Sequence, residues 1–248
     1  MQQRVPHYID GKLGYYALAI ETTITSGTWK AACSSAACAQ SAQKLISQQG
    51  ESSAFALCRP PGHHAAIDLY GGYCFLNNAA IAAQGFLNDG ATRVAVLDVD
   101  FHHGNGTQDI FFERDDVLFL SIHGDPVHAF PHFLGYADET GKAAGQGYNF
   151  NYPLPPDTPY AQWNEALIDS IVQLRKFKPE AVVVSLGVDT FKKDPISFFK
   201  LESEDFTHYG EQLGALGLPT LFVMEGGYAV EELGVNTANV IEGFISAK

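Results

Sequence analysis

The stretch Val94-Ala95-Val96-Leu97-Asp98-Val99-Asp100-Phe101-His102-His103-Gly104-Asn105-Gly106 decides how the rest of the chain is read. Four apolar residues in a row, two of them β-branched, predict a strand buried on both faces, and Gly104 and Gly106 mark the turn that ends it. If the extended period continues past Leu97, then Asp98, Asp100 and His102 stand at i, i+2 and i+4 and point to one side. Charged side chains are almost never fully buried unless they are paired or bind a cation. Two aspartates closing an apolar strand therefore read as metal donors rather than as incidental acids in a solvated loop.

Upstream of this strand, the pattern predicts a helix from Thr28 as N-cap to Gln49, stopped by Gly50. The short apolar run 54–58 reads as a strand that delivers the chain to Arg59-Pro60-Pro61-Gly62-His63-His64, where two prolines forbid further pairing. A helix capped by Asn77 or Asn78 should then run to about Gly90. Residues 1–27, with little periodicity, read as loop or extended chain at the domain edge.

Downstream, a short helix is expected over 107–113, a buried strand over 117–122, and a loop over 124–147 that is too long to be ordinary connection and so reads as functional. A helix over 160–176 precedes the strand Ala181-Val182-Val183-Val184-Ser185-Leu186, which closes on Asp189. A helix over 203–216, a last strand at Thr220-Leu221-Phe222-Val223-Met224 and a final helix to about Ile245 complete the chain. Strands alternating with helices predict an α/β fold, one parallel sheet with helices on both faces, and a single domain over 1–248. Such sheets bind ligands at the carboxyl ends of their strands. His63 and His64, Asp100 and His102, Asp189, and Tyr228 each follow a different strand, so the fold should bring them together.

Composition narrows the function classes. The 248 residues are 46% hydrophobic, enough for a full core, and 28 acidic against 15 basic residues give a formal charge of −13. That balance argues against nucleic acid or an anionic membrane as partner and favours a cationic ligand. Cys33, Cys38, Cys58 and Cys74 form no CxxC pair and sit among small or apolar neighbours, as buried thiols in a reducing compartment would. The start, Met1 to His7, lacks an apolar signal region, and no run reaches the length of a membrane span. A cytoplasmic location is expected.

The chemistry follows from the donor types. Catalytic zinc takes three protein ligands and keeps a position open, and Asp100, His102 and Asp189 supply two carboxylates and an imidazole for it. A neutral histidine nearby can take a proton from a water acidified by the ion, which singles out His63 and His64. Each needs an orienting partner, and Asp98 and Asn105 lie at the right strand end to provide one acid and one amide. A His-His pair alone is more often packing than catalysis; the candidate metal triad beside it reverses that weighting.

Four segments, Arg59 to His64, Asp98 to Gly106, Leu186-Gly187-Val188-Asp189-Thr190 and Glu225-Gly226-Gly227-Tyr228, resemble in order the motifs of the zinc-dependent histone deacetylase family, with its arginase/deacetylase-like fold. Ala129-Phe130-Pro131-His132-Phe133, Asp194-Pro195-Ile196-Ser197-Phe198-Phe199 and the Glu before Gly226 are similar to its bacterial acetylpolyamine amidohydrolase branch. The resemblance implies zinc, with Fe2+ as an alternative, on Asp100, His102 and Asp189. It implies His63 paired to Asp98, and His64 paired to Asn105 as general base and acid, with Tyr228 donating to the substrate carbonyl and the oxyanion. Tyr73 and Phe130, with Gly72, would flank an acyl-amine tunnel; read without the family, the two aromatics would be ordinary core residues. A structural potassium ion would sit on Asp98, Asp100, His102 and Ser121, partly through backbone carbonyls.

Members of that branch carry an upstream segment that narrows the tunnel mouth at a dimer interface, and this chain keeps only the part around Asp10 to Thr22. The expectation is therefore a wider mouth, turnover of acetyllysine peptides comparable with that of small acetylated amines, a homodimer left open with most of its usual dimer-forming segment absent, and residual cation attraction by Asp10 and Glu21. The leading function is a metal-dependent amidohydrolase acting on N-acetylated polyamines or related acylated amines. Two other readings are a protein lysine deacetylase, and an inactive homologue that binds metal or cationic amines without turnover.

Overall fold

The structure, a computed structural model, describes residues 4, 6–9, 11, 18 and 20–248. The expected helix near the start is α1, Thr28–Ser47, whose N-cap is Gly27 rather than Thr28. Thr28 is the first helical residue, and its Oγ1 accepts from the Thr25 amide at 2.9 Å. The strand β1, Ser53–Ala56, ends before Cys58, and α2, Asn78–Asn88, is capped by Asn77, whose Oδ1 accepts from the Ala80 amide at 2.9 Å. Then come β2, Val94–Asp98; α3, Asn105–Phe111, which starts two residues earlier than its sequence predicts; and β3, Val117–Gly124. After the long loop follow β4, Asn149–Leu154; α4, Tyr160–Phe177; and β5, Ala181–Leu186. The chain closes with α5, Ser203–Gly214; β6, Thr220–Met224; and α6, Val230–Ser246.

Among the described residues, six strands form one sheet in the order β1-β6-β5-β2-β3-β4, every pair parallel. The period-2 alternation of the central strands fills two cores. Ala95 and Leu97 of β2, with Val182 and Val184 of β5, face Trp163 and Leu167 of α4 and Phe206 and Phe244 of α5 and α6. Val94, Val96, Val183 and Val223 point the other way, onto Ala39 and Ile46 of α1 and Ala82, Ala83 and Phe86 of α2. Helices thus cover both faces, as parallel sheets require.

The strand order places the ligand crevice. From β2 the chain goes outward to β3 and β4, whereas β5, on the other side of β2, sends it the opposite way to β6. Helical connections leaving adjacent strands in opposite directions open a cleft beyond their carboxyl ends. That cleft lies between β2 and β5, the two strands whose ends carry Asp98, Asp100, His102 and Asp189.

Three expectations are corrected. Strand β4 was unforeseen: Asn149 and Asn151 occupy its inward positions and Pro153 its sequence, all poor strand formers. The edge position tolerates the proline, and both amides donate to Gln108 Oε1, at 3.0 and 2.7 Å. The extended period of β2 does not continue past Asp98. Instead Asp98 Oδ1 accepts from the Asp100 amide at 3.1 Å and Asp100 Oδ1 from the His102 amide at 2.8 Å, two successive Asx-type turns. Of the cysteines, Cys58 and Cys74 are buried, but Cys33 is exposed on α1 and Cys38 half-buried; all four are free thiols. Asp10 lies outside the described residues.

Strand β3 also carries an acid-sensitive group. His123, fully buried, accepts from Ser121 Oγ on Nδ1 and donates from Nε2 to the Gly135 carbonyl, both at 2.8 Å. Burial lowers its pKa from 6.5 to about 4. Because the unfolded chain takes up this proton first, the stabilisation is present above pH 6.5 and is lost as pH falls toward 4, a difference of about 3 kcal/mol. Denaturant melts at several pH values should show this slope in the wild type and a shallower one in His123→Gln. Equal slopes would exclude His123 as the source.

Candidate active site

The two-histidine turn after β1 is fixed at both ends of its backbone. Glu225 Oε2 accepts from the amides of Gly62 and His63 at 2.7 and 3.1 Å. The His63 carbonyl accepts from the Gly106 and Thr107 amides at the start of α3, at 3.0 and 3.2 Å. His63 Nδ1 meets Asp98 Oδ2 at 3.0 Å, and His64 Nδ1 meets Asn105 Oδ1 at 2.7 Å. These are the two partners expected from the sequence, one acid and one amide.

The different partners drive the two imidazoles apart. Burial alone would depress His63, but the Asp100 and Asp98 charges outweigh it and hold the group well above its ordinary value. His64 has no carboxylate partner, so burial, with the His63 and His102 charges, holds it well below. A charged His63 beside a neutral His64 results. Since Asn105 Oδ1 can only accept, His64 carries its proton on Nδ1 and keeps a lone pair on Nε2.

Asp100, His102 and Asp189, all buried, bring one donor atom each to within 4.8 Å of one another. His102 Nδ1 lies 3.2 Å from Asp100 Oδ1 and 2.9 Å from Asp189 Oδ2. The remaining carboxylate oxygens hold the surrounding backbone: Asp100 Oδ2 accepts from the Gly226 amide at 2.8 Å and Asp189 Oδ1 from that of Phe101 at 2.7 Å. Two carboxylates and an imidazole that aim lone pairs at one point need either a proton or a cation between them. In the protein alone the proton serves: against the burial penalty, the two carboxylates raise His102 to about 9. Burial, with the Asp100 charge, raises Asp189 to about 7. The donor set fits a divalent ion, three protein ligands of the nitrogen and oxygen type that zinc accepts.

Above these groups opens a cavity of about 390 Å³, with His64, His102 and Tyr228 in its lining and Tyr73, Gly72 and Phe130 beside them. Phe130 stands edge-on to His64, centroids 4.9 Å apart, and Tyr73 lies 6.1 Å from Tyr228. Tyr73 is held in the left-handed region, φ +65°, with its amide donating to Thr22 Oγ1 at 2.9 Å. Leu18, Glu21, His128, Ala129, His132, Ile196 and Phe198 complete much of the wall. The long loop 124–147 thus supplies four lining residues, His128 to Phe130 and His132. Burial first, then Asp100 and Asp189, pushes the Tyr228 phenol far above its ordinary range, so it remains a donor.

Ser121 is the register partner of Asp98 across β2 and β3, and its side chain is buried. Two residues escaped the sequence reading as contributors. Glu225 holds the histidine turn, and Asp194 Oδ2 accepts from the amides of Tyr228 and Ala229 at 2.7 and 3.2 Å, fixing the Gly-Gly-Tyr turn. An acid preceding Gly-Gly was the available signal for the first; Asp194 stands 34 residues before the Tyr228 amide it holds, a contact that no spacing in the sequence signals.

A parallel sheet with a candidate carboxylate-imidazole metal site and a histidine pair of unlike partners at its switch point sets the class of the protein as α/β with its ligand crevice at the strands' carboxyl ends. The chain belongs to the histone deacetylase family, whose domain matches residues 7–244. It is 61% identical over 240 residues to the acetylpolyamine amidohydrolase of Mycoplana ramosa, covering 97% of this chain and 70% of that protein. Identity to acetylpolyamine amidohydrolase 2 of Pseudomonas aeruginosa is 60% over 244 residues, 98% of this chain and 71% of the relative. The crystal structure of acetylpolyamine aminohydrolase from Burkholderia pseudomallei superposes with a TM-score of 0.88 at 46% identity. That match covers 90% of this chain and 65% of the crystallised one.

Proposed function

We propose that this chain is a zinc-dependent amidohydrolase that removes the acetyl group from N-acetylated polyamines or related acylated amines. The observation that carries the reading is the meeting of Asp100, His102 and Asp189 beside the two unlike histidines, with His102, His64 and Tyr228 lining one aromatic-walled cavity. Relatives that are named as acetylpolyamine amidohydrolases, at about 60% identity over nearly the whole chain, support the substrate class.

Zinc on Asp100, His102 and Asp189 would supply a Lewis acid for the acyl carbonyl and lower the pKa of water toward neutrality. The rest falls to the chain's own residues. Nε2 of neutral His64 takes the proton of the attacking water and returns it to the departing amine, while the Asn105 amide keeps the tautomer fixed. His63, charged and tied to Asp98, adds a positive field beside the developing oxyanion. The Tyr228 hydroxyl donates to that oxygen as it gains charge. Tyr73 and Phe130 flank the methylene stem of the acylated amine, and the apolar contact holds the amide in place. Glu21, exposed at the cavity wall, and the net charge of −13 favour a distal ammonium group. A structural potassium ion would rest on Asp98, Asp100, His102 and Ser121. Four unpaired thiols are consistent with a reducing, cytoplasmic setting.

Turnover of acetylputrescine, acetylspermidine and an acetyllysine peptide, with and without added zinc, tests the reading. Zinc-dependent release of acetate from the acetylated amines is expected, with KM rising as salt screens the ammonium. No hydrolysis of any of the three after zinc loading would overturn it.

Gly72 yields a sharper test of the cavity. Its φ is +54°, and a Cβ there would stand 2.2 Å from His64 Cδ2. Gly72→Ala should displace the imidazole and lower kcat roughly tenfold or more while zinc content stays stoichiometric. Unchanged kcat would mean that the position of the His64 ring does not limit the reaction.

A further inference from the structure

Behind the histidine pair lies a second set of buried donors. His63, Cys74 and Glu225 each offer a ligand atom, and the three atoms lie within 4.8 Å of one another. Exposure is 3%, 0% and 6% respectively. Glu225 uses Oε2 on the Gly62 and His63 amides, but Oε1 is buried with no hydrogen-bond partner. A carboxylate oxygen hidden from water without a donor is costly, and nothing in the hydrolytic chemistry uses it. The Cys74 thiol donates to the Gly72 carbonyl at 3.3 Å, a weak bond that a metal can replace. On His63, Nδ1 is taken by Asp98, while Nε2 stands 3.8 Å from Asp100 Oδ1, beyond hydrogen-bond reach.

Sulfur, nitrogen and oxygen donors at one buried point match the ligand preferences of zinc, and the sulfur separates this set from the Asp100, His102 and Asp189 group. We propose that His63, Cys74 and Glu225 form a second zinc site, whose occupation inhibits the enzyme. Binding forms a zinc-sulfur bond as the thiol proton leaves to solvent and a zinc-nitrogen bond as His63 gives up its Nε2 proton, Nδ1 keeping its contact with Asp98, because thiol and imidazole both coordinate deprotonated. Asp100 belongs to the first metal group yet approaches His63, so an ion already held there repels the second one. The second site therefore fills only when metal is in excess. Once filled, it ties His63 Nε2 to the ion and pulls on an imidazole whose ring centroid lies 4.0 Å from that of His64, so the pair is displaced; this inhibitory step rests on the hydrolase reading above, whereas the binding step does not.

The experiment uses the full chain loaded with one equivalent of zinc and then titrated with cobalt(II), followed by near-ultraviolet absorption and by turnover. A thiolate-to-cobalt charge-transfer band is expected, since the first metal group contains no sulfur. Turnover should fall about tenfold or more as the band saturates. Cys74→Ala and Cys74→Val, which leave the first metal group intact, should lose both the band and the inhibition while keeping one equivalent of zinc. Absence of the band in the wild-type protein, or its persistence in both variants, would overturn the site. A saturated band with full turnover would overturn the inhibitory role alone.

Discussion

Replacing Asp189 is expected to abolish metal retention and, with it, turnover. Asp189 is fully buried, and its Oδ2 lies 2.9 Å from His102 Nδ1 within the three-donor group. Without it one carboxylate and one imidazole remain, and a dication held by them would keep a net positive charge in a buried site. The loss should exceed the roughly 10–100-fold typical of removing an outer-sphere partner. Asp189 Oδ1 also holds the Phe101 amide at 2.7 Å, so Asp189→Ala removes a backbone contact together with the ligand. Asp189→Asn separates the two, since its carbonyl oxygen still accepts from Phe101 while its amide nitrogen is no ligand. Both variants should emerge from dialysis without zinc. Stoichiometric zinc in Asp189→Asn would remove this residue from the ligand set. In the wild type the metal must displace the proton shared by His102 and Asp189, whose pKa values stand at about 9 and about 7. Protons and metal compete, so affinity should fall as pH falls through that range.

Much of this site was legible because its parts are local in sequence. Val94 to Asp98 reads as a doubly buried strand from its own apolar run, and the position of Asp98 and Asp100 after it already demanded a counter-charge. The parallel sheet then fixed where the His63-His64 turn, Asp189 and Tyr228 had to meet. What stayed hidden depends on chain geometry that no residue period encodes. The turn after Asp98 is made by aspartate oxygens accepting from amides two residues on, so Asp98 turns to His63 while Asp100 and His102 turn to Asp189. Strand β4 was invisible because its inward residues are asparagines, whose amide nitrogens donate to Gln108 on a distant helix where an apolar core would otherwise pack. Glu225 stood in a recognisable motif, yet its hold on Gly62 and His63 joins elements on opposite sides of the sequence.

The difference between the two histidines follows from the same placement. Asp98 closes β2, the strand beside the switch point, and meets His63; Asn105 opens α3 one turn later and meets His64. An acid and an amide seven positions apart thus push two adjacent imidazoles in opposite directions, His63 above its ordinary pKa and His64 below it.

Tyr228→Phe should retain zinc and substrate affinity but lower kcat by about 100-fold or more, the usual cost of losing an oxyanion donor. The substitution removes one hydroxyl and leaves its setting intact. The turn is held through main-chain groups, with Asp194 accepting from the Tyr228 and Ala229 amides and Asp100 accepting from Gly226. Gly227 adopts φ +149°, which a side-chain-bearing residue rarely does, so the ring's direction is set by the backbone rather than by the hydroxyl. Burial and the neighbouring carboxylates keep the phenol protonated well beyond neutral pH. It can therefore donate throughout the working range, and its titration should not appear in the pH profile. Because the oxygen it serves carries more charge in the transition state than in bound substrate, kcat should fall while KM changes little. Single-turnover rates and zinc content measured on the same preparation check this directly. A variant with near-native kcat would exclude Tyr228 as the donor, and one that had lost zinc would show that the hydroxyl supports the metal group instead.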